Sequence, residues 1–251
     1  MKEERIIFLN CRQDRLSGVL HHPRTPKPNG AAILCHGMDS DKNSEKLVFL
    51  ARALAAAGVL ALRFDFTYVG ESSGCFEEIT CSGETDDLRA AYALVQTHRP
   101  GKIALLGSSM GGTVAVLFAA TQPAIAALVT VAAPLHPEHF PRRMLTEAQL
   151  CDWRARGFTT YNGKRLNVSL LEDLERLDPP QAARAVACPT LVLHGAADAV
   201  VPVEEAYELH RCLAGQKRLS ILPGGDHRLS DPALMRRALE ESLDWLLTHV
   251  R

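Results

Sequence analysis

A serine hydroxyl becomes a nucleophile when a base takes its proton and a carboxylate orients that base. In the 251-residue chain, the stretch "KIALLGSSMGGTVAVLFAA" (102–120) holds a serine spelled for that work. The pattern G-x-S-x-G is met by Gly107, Ser109 and Gly111, and only in that register, because a central Ser108 would need glycine where Leu106 stands. Glycines on either side let a strand and a helix approach around a strained turn, so that the serine hydroxyl projects over the sheet edge. Ser108 is left with packing or loop hydrogen bonding. The spelling alone is weak, since a chain this long contains it by chance on the order of one time in ten. A phosphate loop does not fit: there is no G-K-[ST], and "GSSMGG" departs from G-x-G-x-x-G.

The partners of such a serine follow it in the chain order acid, then histidine, each just past a later strand. "LHGAADAVVP" places Asp198 after one apolar run, and "LPGGDHRLS" places His227 in a glycine turn after the next. Either alone reads as an ordinary turn residue; their joint placement and order make them the candidate acid and base. Competitors fit less well. Asp226 adjoins His227 and could hardly reach the far side of its ring, Asp173 and Asp178 fall elsewhere, and His194 precedes Asp198. Acyl transfer also needs N–H donors for the developing oxyanion. Met110, directly after the serine, offers one, and the turn in "CHGMDSDK" offers the other at Met38. His36 is expected to bond nearby backbone rather than take part in chemistry.

These residues need a scaffold, and the apolar patterning supplies one. Short apolar runs at 31–37, 59–66, 102–107, 124–133, 189–195 and 217–223 alternate with helical patterns at 44–58, 86–98, 110–120, 203–215 and 231–250. An opening hairpin is expected from "RIIFLN" and "LSGVLHH". In the last helix Asp231 caps, Pro232 starts, and Met235, Leu239, Leu243, Leu246 and Val250 recur on one face. Strands joined by crossover helices make a mostly parallel sheet with helices on both faces. The rhythm breaks at 134–187, a more charged segment bounded by prolines that we expect to be a cap of short helices inserted in a single domain, with core at 1–133 and 188–251.

Composition bounds the partners. Lys and Arg number 28 against 29 Asp and Glu, which gives no electrostatic reason to expect nucleic acid or a membrane surface. The acidic N-terminus "MKEERIIFLN" is not expected to act as a signal peptide, and no run approaches a membrane span. Seven scattered cysteines without CxxC suggest reduced thiols in a cytoplasmic protein. His136 and His139, in "HPEH", have something like metal-ligand spacing, but with Pro137 between them they are not taken as a site. No cofactor or metal is expected; the partner is a small-molecule ester, and a homodimer is left open.

"HGMDSDK", "RFDFTYVGESSG", "GSSMGG", "HGAADAVVP" and "GGDHRLS" resemble the block pattern of the α/β-hydrolase superfamily across essentially the whole chain. Feruloyl/cinnamoyl esterase-like enzymes are nearest, with serine-aminopeptidase-like and mycophenolic-acid-glucuronide-esterase-like groups close by. The resemblance implies an eight-stranded α/β-hydrolase fold, Ser109 as nucleophile, Asp198 as acid, His227 as base, and Met38 and Met110 N–H groups as oxyanion hole. It implies structural roles for Asp65 and Ser72, and a pocket under the cap that Phe140, Trp153, Phe158 and Tyr161 would line. Basic residues in the cap are expected to form a solvated face. The implied activity is a serine hydrolase cleaving esters of small acyl or aryl acids through an acyl-enzyme. Thioester or small-peptide cleavage by the same groups is the alternative, as is a non-catalytic ligand receptor on the same scaffold.

Overall fold

The computed structural model describes residues 2–25 and 28–251. Eight strands form one sheet: β1 (Lys2–Leu9), β2 (Arg15–His22), β3 (Ala31–Cys35), β4 (Leu60–Phe64), β5 (Ile103–Ser108), β6 (Ile125–Val131), β9 (Thr190–Gly195) and β10 (Lys217–Leu222). Their spatial order is β1-β2-β4-β3-β5-β6-β9-β10. From β4 to β10 every pairing is parallel, while β2 runs antiparallel to both neighbours, so the opening hairpin forms one edge.

Strand side chains alternate between two apolar layers, as the two-residue period of a strand requires. Ile103 and Leu105 of β5 join the layer under α2 (Cys81–Thr97), α3 (Met110–Thr121) and α8 (Val203–Cys212). Ala104 and Leu106 join the layer under α1 (Glu45–Ala56) and α9 (Pro232–Val250). Leu50, Leu54 and Leu246, fully or almost fully buried there, each contribute about 1.5–3 kcal/mol of transfer energy. Helix α9 starts where the sequence signals it: the Asp231 carboxylate accepts from the N–H groups of Ala233 and Leu234 at 2.8 and 3.0 Å.

Between β6 and β9 lie α4 (His139–Met144), α5 (Glu147–Arg156), β7 (Phe158–Tyr161), β8 (Lys164–Asn167), α6 (Val168–Arg176) and α7 (Pro179–Ala185). Short helices alone are expected here, whereas the segment also contains the antiparallel β7–β8 hairpin. Its turn is Asn162-Gly163, at φ 47° and 74°, the two left-handed residues a tight hairpin demands. That dipeptide was the legible signal. The hairpin tip reaches back to the core, where Asn162 Nδ2 donates to Asp39 Oδ2 at 3.0 Å.

Candidate active site

The parallel register brings the loop ends together. Cys35 of β3 pairs with Gly107 of β5, so the turn after β3 lies beside the turn after β5. Leu222 of β10 pairs with Gly195 of β9, which sets the loops bearing His227 and Asp198 side by side. Four loops therefore meet at the carboxyl end of the sheet.

Ser109 sits on the sharp turn between β5 and α3 at φ 52°, ψ −128°, a conformation that non-glycine residues hold only when their surroundings enforce it. Here the enforcement is close packing. A Cβ on Gly107 would overlap the Gly111 carbonyl, and one on Gly111 would overlap the His36 carbonyl. The Ser109 N–H is held by Val131 O at 2.8 Å.

From Ser109 a line of hydrogen bonds runs inward. Ser109 Oγ lies 3.0 Å from His227 Nε2, and His227 Nδ1 lies 2.8 Å from Asp198 Oδ2. A carboxylate can only accept, so Nδ1 carries the imidazole proton and Nε2 is left to receive the serine's. Asp198 is firmly seated: its Oδ1 accepts from Val200 and Val201 N–H, both at 2.8 Å. Burial pushes its carboxyl upward, but hydrogen bonds from His194, His227 and Val201 outweigh burial and hold it well below the usual range. It is therefore ionised at neutral pH, able to stabilise an imidazolium. His194 is the residue that sequence reasoning set aside. Its Nε2 lies 3.2 Å from Asp198 Oδ2 and 2.9 Å from Val201 O, deep behind the carboxylate.

The turn after β3 is held from below. His36 is buried, donates from Nδ1 to Gly37 O at 2.8 Å and accepts at Nε2 from Phe66 N–H at 3.1 Å. Burial keeps its imidazole below the ordinary value, and hence neutral. A Cβ at Gly37 would stand 3.0 Å from the Ser109 Cβ, so the turn lies directly against the serine. Beneath it Asp65 accepts from Lys42 N–H at 2.7 Å, Lys42 Nζ at 2.5 Å and Glu71 N–H at 2.9 Å, while Ser72 Oγ donates to Asp65 O at 2.7 Å. Met38 and Met110 both border the cavity. Met110 opens α3, where the first N–H groups have no acceptor within the helix.

Ser109 and His227 open into a cavity of about 580 Å³. Phe140 and Tyr161 line it, edge to face with centroids 5.5 Å apart. Trp153 and Phe158 do not, which corrects the expectation drawn from sequence. Trp153 is 2 % exposed and packs the segment onto the core. Phe158 lies between the guanidinium groups of Arg156 and Arg165, at 4.6 and 4.0 Å. Asp178 caps α7, accepting from Gln181 N–H at 2.8 Å, and Asp173, inside α6, accepts from Ser82 N–H in the first turn of α2 at 3.1 Å. Arg143, Arg154, Arg156, Lys164 and Arg165 each pair with a carboxylate. His136 is engaged too: its ring nitrogens lie 3.1 Å from Glu138 and from Glu208, and it stacks on His139.

A mostly parallel sheet flanked on both faces, a serine on a strained strand-to-helix turn after β5, and an acid and a histidine on the loops after β9 and β10 define an α/β-hydrolase. More narrowly, the chain belongs to the family described as serine aminopeptidase, S33, whose model matches residues 26–179. It is 24% identical over 260 residues to the mouse mitochondrial palmitoyl-protein thioesterase ABHD10, covering 96% of this chain and 86% of that one. The esterase domain of a Rhodothermus marinus protein superposes with a TM-score of 0.76 and 26% identity over 100% of both chains. Est1E of Butyrivibrio proteoclasticus, bound to ferulic acid, superposes with a TM-score of 0.84 and 21% identity over 96% of this chain and 99% of that one. The protein is a hydrolase of this fold. Among the described residues no helix is long and apolar enough to cross a membrane.

Proposed function

We propose that the protein is a serine hydrolase that cleaves carboxylic esters through an acyl-enzyme. The observation that carries this reading is the hydrogen-bonded line from Ser109 through His227 to Asp198, with the serine hydroxyl facing the cavity. As Ser109 Oγ attacks the ester carbonyl, His227 Nε2 takes its proton and then delivers it to the departing alkoxide. Asp198 holds the imidazole in the Nδ1–H tautomer and stabilises the transient imidazolium. The oxyanion of the tetrahedral intermediate accepts from the Met38 and Met110 N–H groups. Water, deprotonated by the same histidine, then releases the acid and restores Ser109.

A thioester would pass through the same steps with a thiolate leaving, and the likeness to a mouse thioesterase supports that second reading. A parallel panel of p-nitrophenyl esters, acyl thioesters and aminoacyl anilides, run on wild type and Ser109→Ala, tests both. Ester turnover that vanishes with Ser109 supports the proposal. Ester turnover retained by Ser109→Ala overturns it.

A further inference from the structure

The cavity does not lie only beneath the cap; its lining divides according to the face of the sheet. On the cap side are Thr113, Pro137, Phe140, Tyr161, Leu170 and Leu174. On the opposite side it runs down between α1 and α9, along Leu47, Leu50, Leu106, Val131, Met235 and Leu239. This second part exists because α9 presents two small residues one turn apart, Ala238 and Ser242, which are 3 % and 1 % exposed. Ser242 Oγ donates to Ala238 O at 2.7 Å, so its proton is already used along the helix. The slot's walls are aliphatic, and Met235 adds an unbranched, adaptable surface.

Resting on the reading of Ser109 as an acylated nucleophile, we propose that the slot between α1 and α9 takes the unbranched alkyl chain of the acyl group, with Ala238 and Ser242 setting its usable length. The order of departure favours this side. The leaving group exits first, toward the cavity's exposed residues Asp39, Val200 and Arg228, while the acyl group stays bonded to Ser109. The buried branch of the cavity is therefore the one suited to the part that remains. A hydroxycinnamoyl ring would carry its phenol among the leucines, where Ser242 Oγ, its own proton already given to Ala238 O, is left only to accept, against the several hydrogen bonds a phenol makes in water. The aromatic pair Phe140 and Tyr161 stands on the other side. The substrate class is thus linear acyl esters or thioesters.

The test is kcat/KM for p-nitrophenyl acetate, butanoate, octanoate and decanoate, alongside a hydroxycinnamoyl ester, on wild type, Ala238→Phe and Leu50→Ala. Fluorophosphonate labelling of Ser109 in each preparation reports an assembled site. In wild type kcat/KM rises from acetate to octanoate, by up to roughly fourfold per methylene buried. Ala238→Phe lowers the octanoate-to-acetate ratio at least about tenfold, because a phenyl group fills the space of several methylenes. If Ala238→Phe does not fold, Leu50→Ala tests the same slot in the opposite sense, by moving the preference toward decanoate. A ratio unchanged by these variants, or a wild-type preference for the hydroxycinnamoyl ester, overturns the slot while leaving the hydrolase reading intact. Wild type that is neither labelled at Ser109 nor active on any ester overturns the hydrolase reading itself.

Discussion

His194 Nε2 lies 3.2 Å from Asp198 Oδ2, the same oxygen that receives His227 Nδ1 at 2.8 Å. The carboxylate thus stands between two imidazoles, one facing Ser109 and one sealed in the protein. With Val200 and Val201 N–H groups on the other oxygen, Asp198 has little rotational freedom left. That seating keeps His227 in a single tautomer and orientation, and it is reflected in the lowered Asp198 pKa.

Asp198→Asn preserves shape but removes the charge and favours the wrong histidine tautomer. An approximately 10⁴-fold fall in kcat on p-nitrophenyl esters is expected. A stability consequence follows from linkage. The folded carboxyl titrates below its unfolded value of about 3.9, so its contribution is fully present above that value and is lost as the pH falls toward the folded pKa. Urea unfolding should show wild type more stable than Asp198→Asn at neutral pH, with the gap closing below about pH 4.

Ser109→Ala should reduce kcat by about 10⁵- to 10⁶-fold and abolish fluorophosphonate labelling, with the thermal midpoint near that of wild type. Ser108→Ala should keep labelling. Interchanged outcomes would assign the nucleophile to Ser108.

Asp65 lies at the centre of the polar support under the Met38 turn, and its partner Lys42 has a side chain only 3 % exposed. Asp65→Ala leaves that ammonium with Glu71 alone, 2.7 Å away, and takes the acceptor from the Lys42 and Glu71 N–H groups, which should cost about 1–3 kcal/mol in urea unfolding. Because the loop it anchors presents Met38, kcat should fall as well. Pairing Asp65→Leu with Lys42→Met should recover much of the stability without recovering kcat.

Glu84 on α2 is 3 % exposed, and among the described residues neither of its carboxyl oxygens finds a partner. Burial, then the nearby Asp87 and Asp173, push its pKa well above the ordinary value. Its stabilising balance is therefore best at low pH and is lost as the pH rises. Replacing it with an apolar residue of similar length, Glu84→Met, should raise stability by about 1–3 kcal/mol, most visibly at alkaline pH, as a higher thermal midpoint. A lower midpoint would show that the carboxyl is satisfied.

Tyr161 borders the cavity, whereas Phe158 is held between two arginines outside it. Tyr161→Ala should raise KM for esters with bulky leaving groups several-fold; Phe158→Ala should leave KM unchanged. Steady-state kinetics on both variants separates lining from support.

The sequence by itself determined what short-range geometry dictates. The register of Ser109 is one such feature, because the turn tolerates nothing larger than glycine at 107 and 111. The Asp231 cap of the last helix and the alternation of buried strands with helices are others. From that alternation came the sheet and the placing of Asp198 and His227 at successive strand ends. The Asn162-Gly163 hairpin was equally local, and its signal was present in the sequence. Tertiary structure decided what depends on residues distant in the chain. It placed His194 behind Asp198, paired Lys42 with Asp65, and turned Trp153 and Phe158 away from the cavity while leaving Phe140 and Tyr161 in it. It also set Leu47 and Leu50 opposite Ala238 and Ser242, nearly a whole chain apart. A repeat of two or 3.6 residues states which side of an element is apolar; only packing against the rest of the fold states what that side meets.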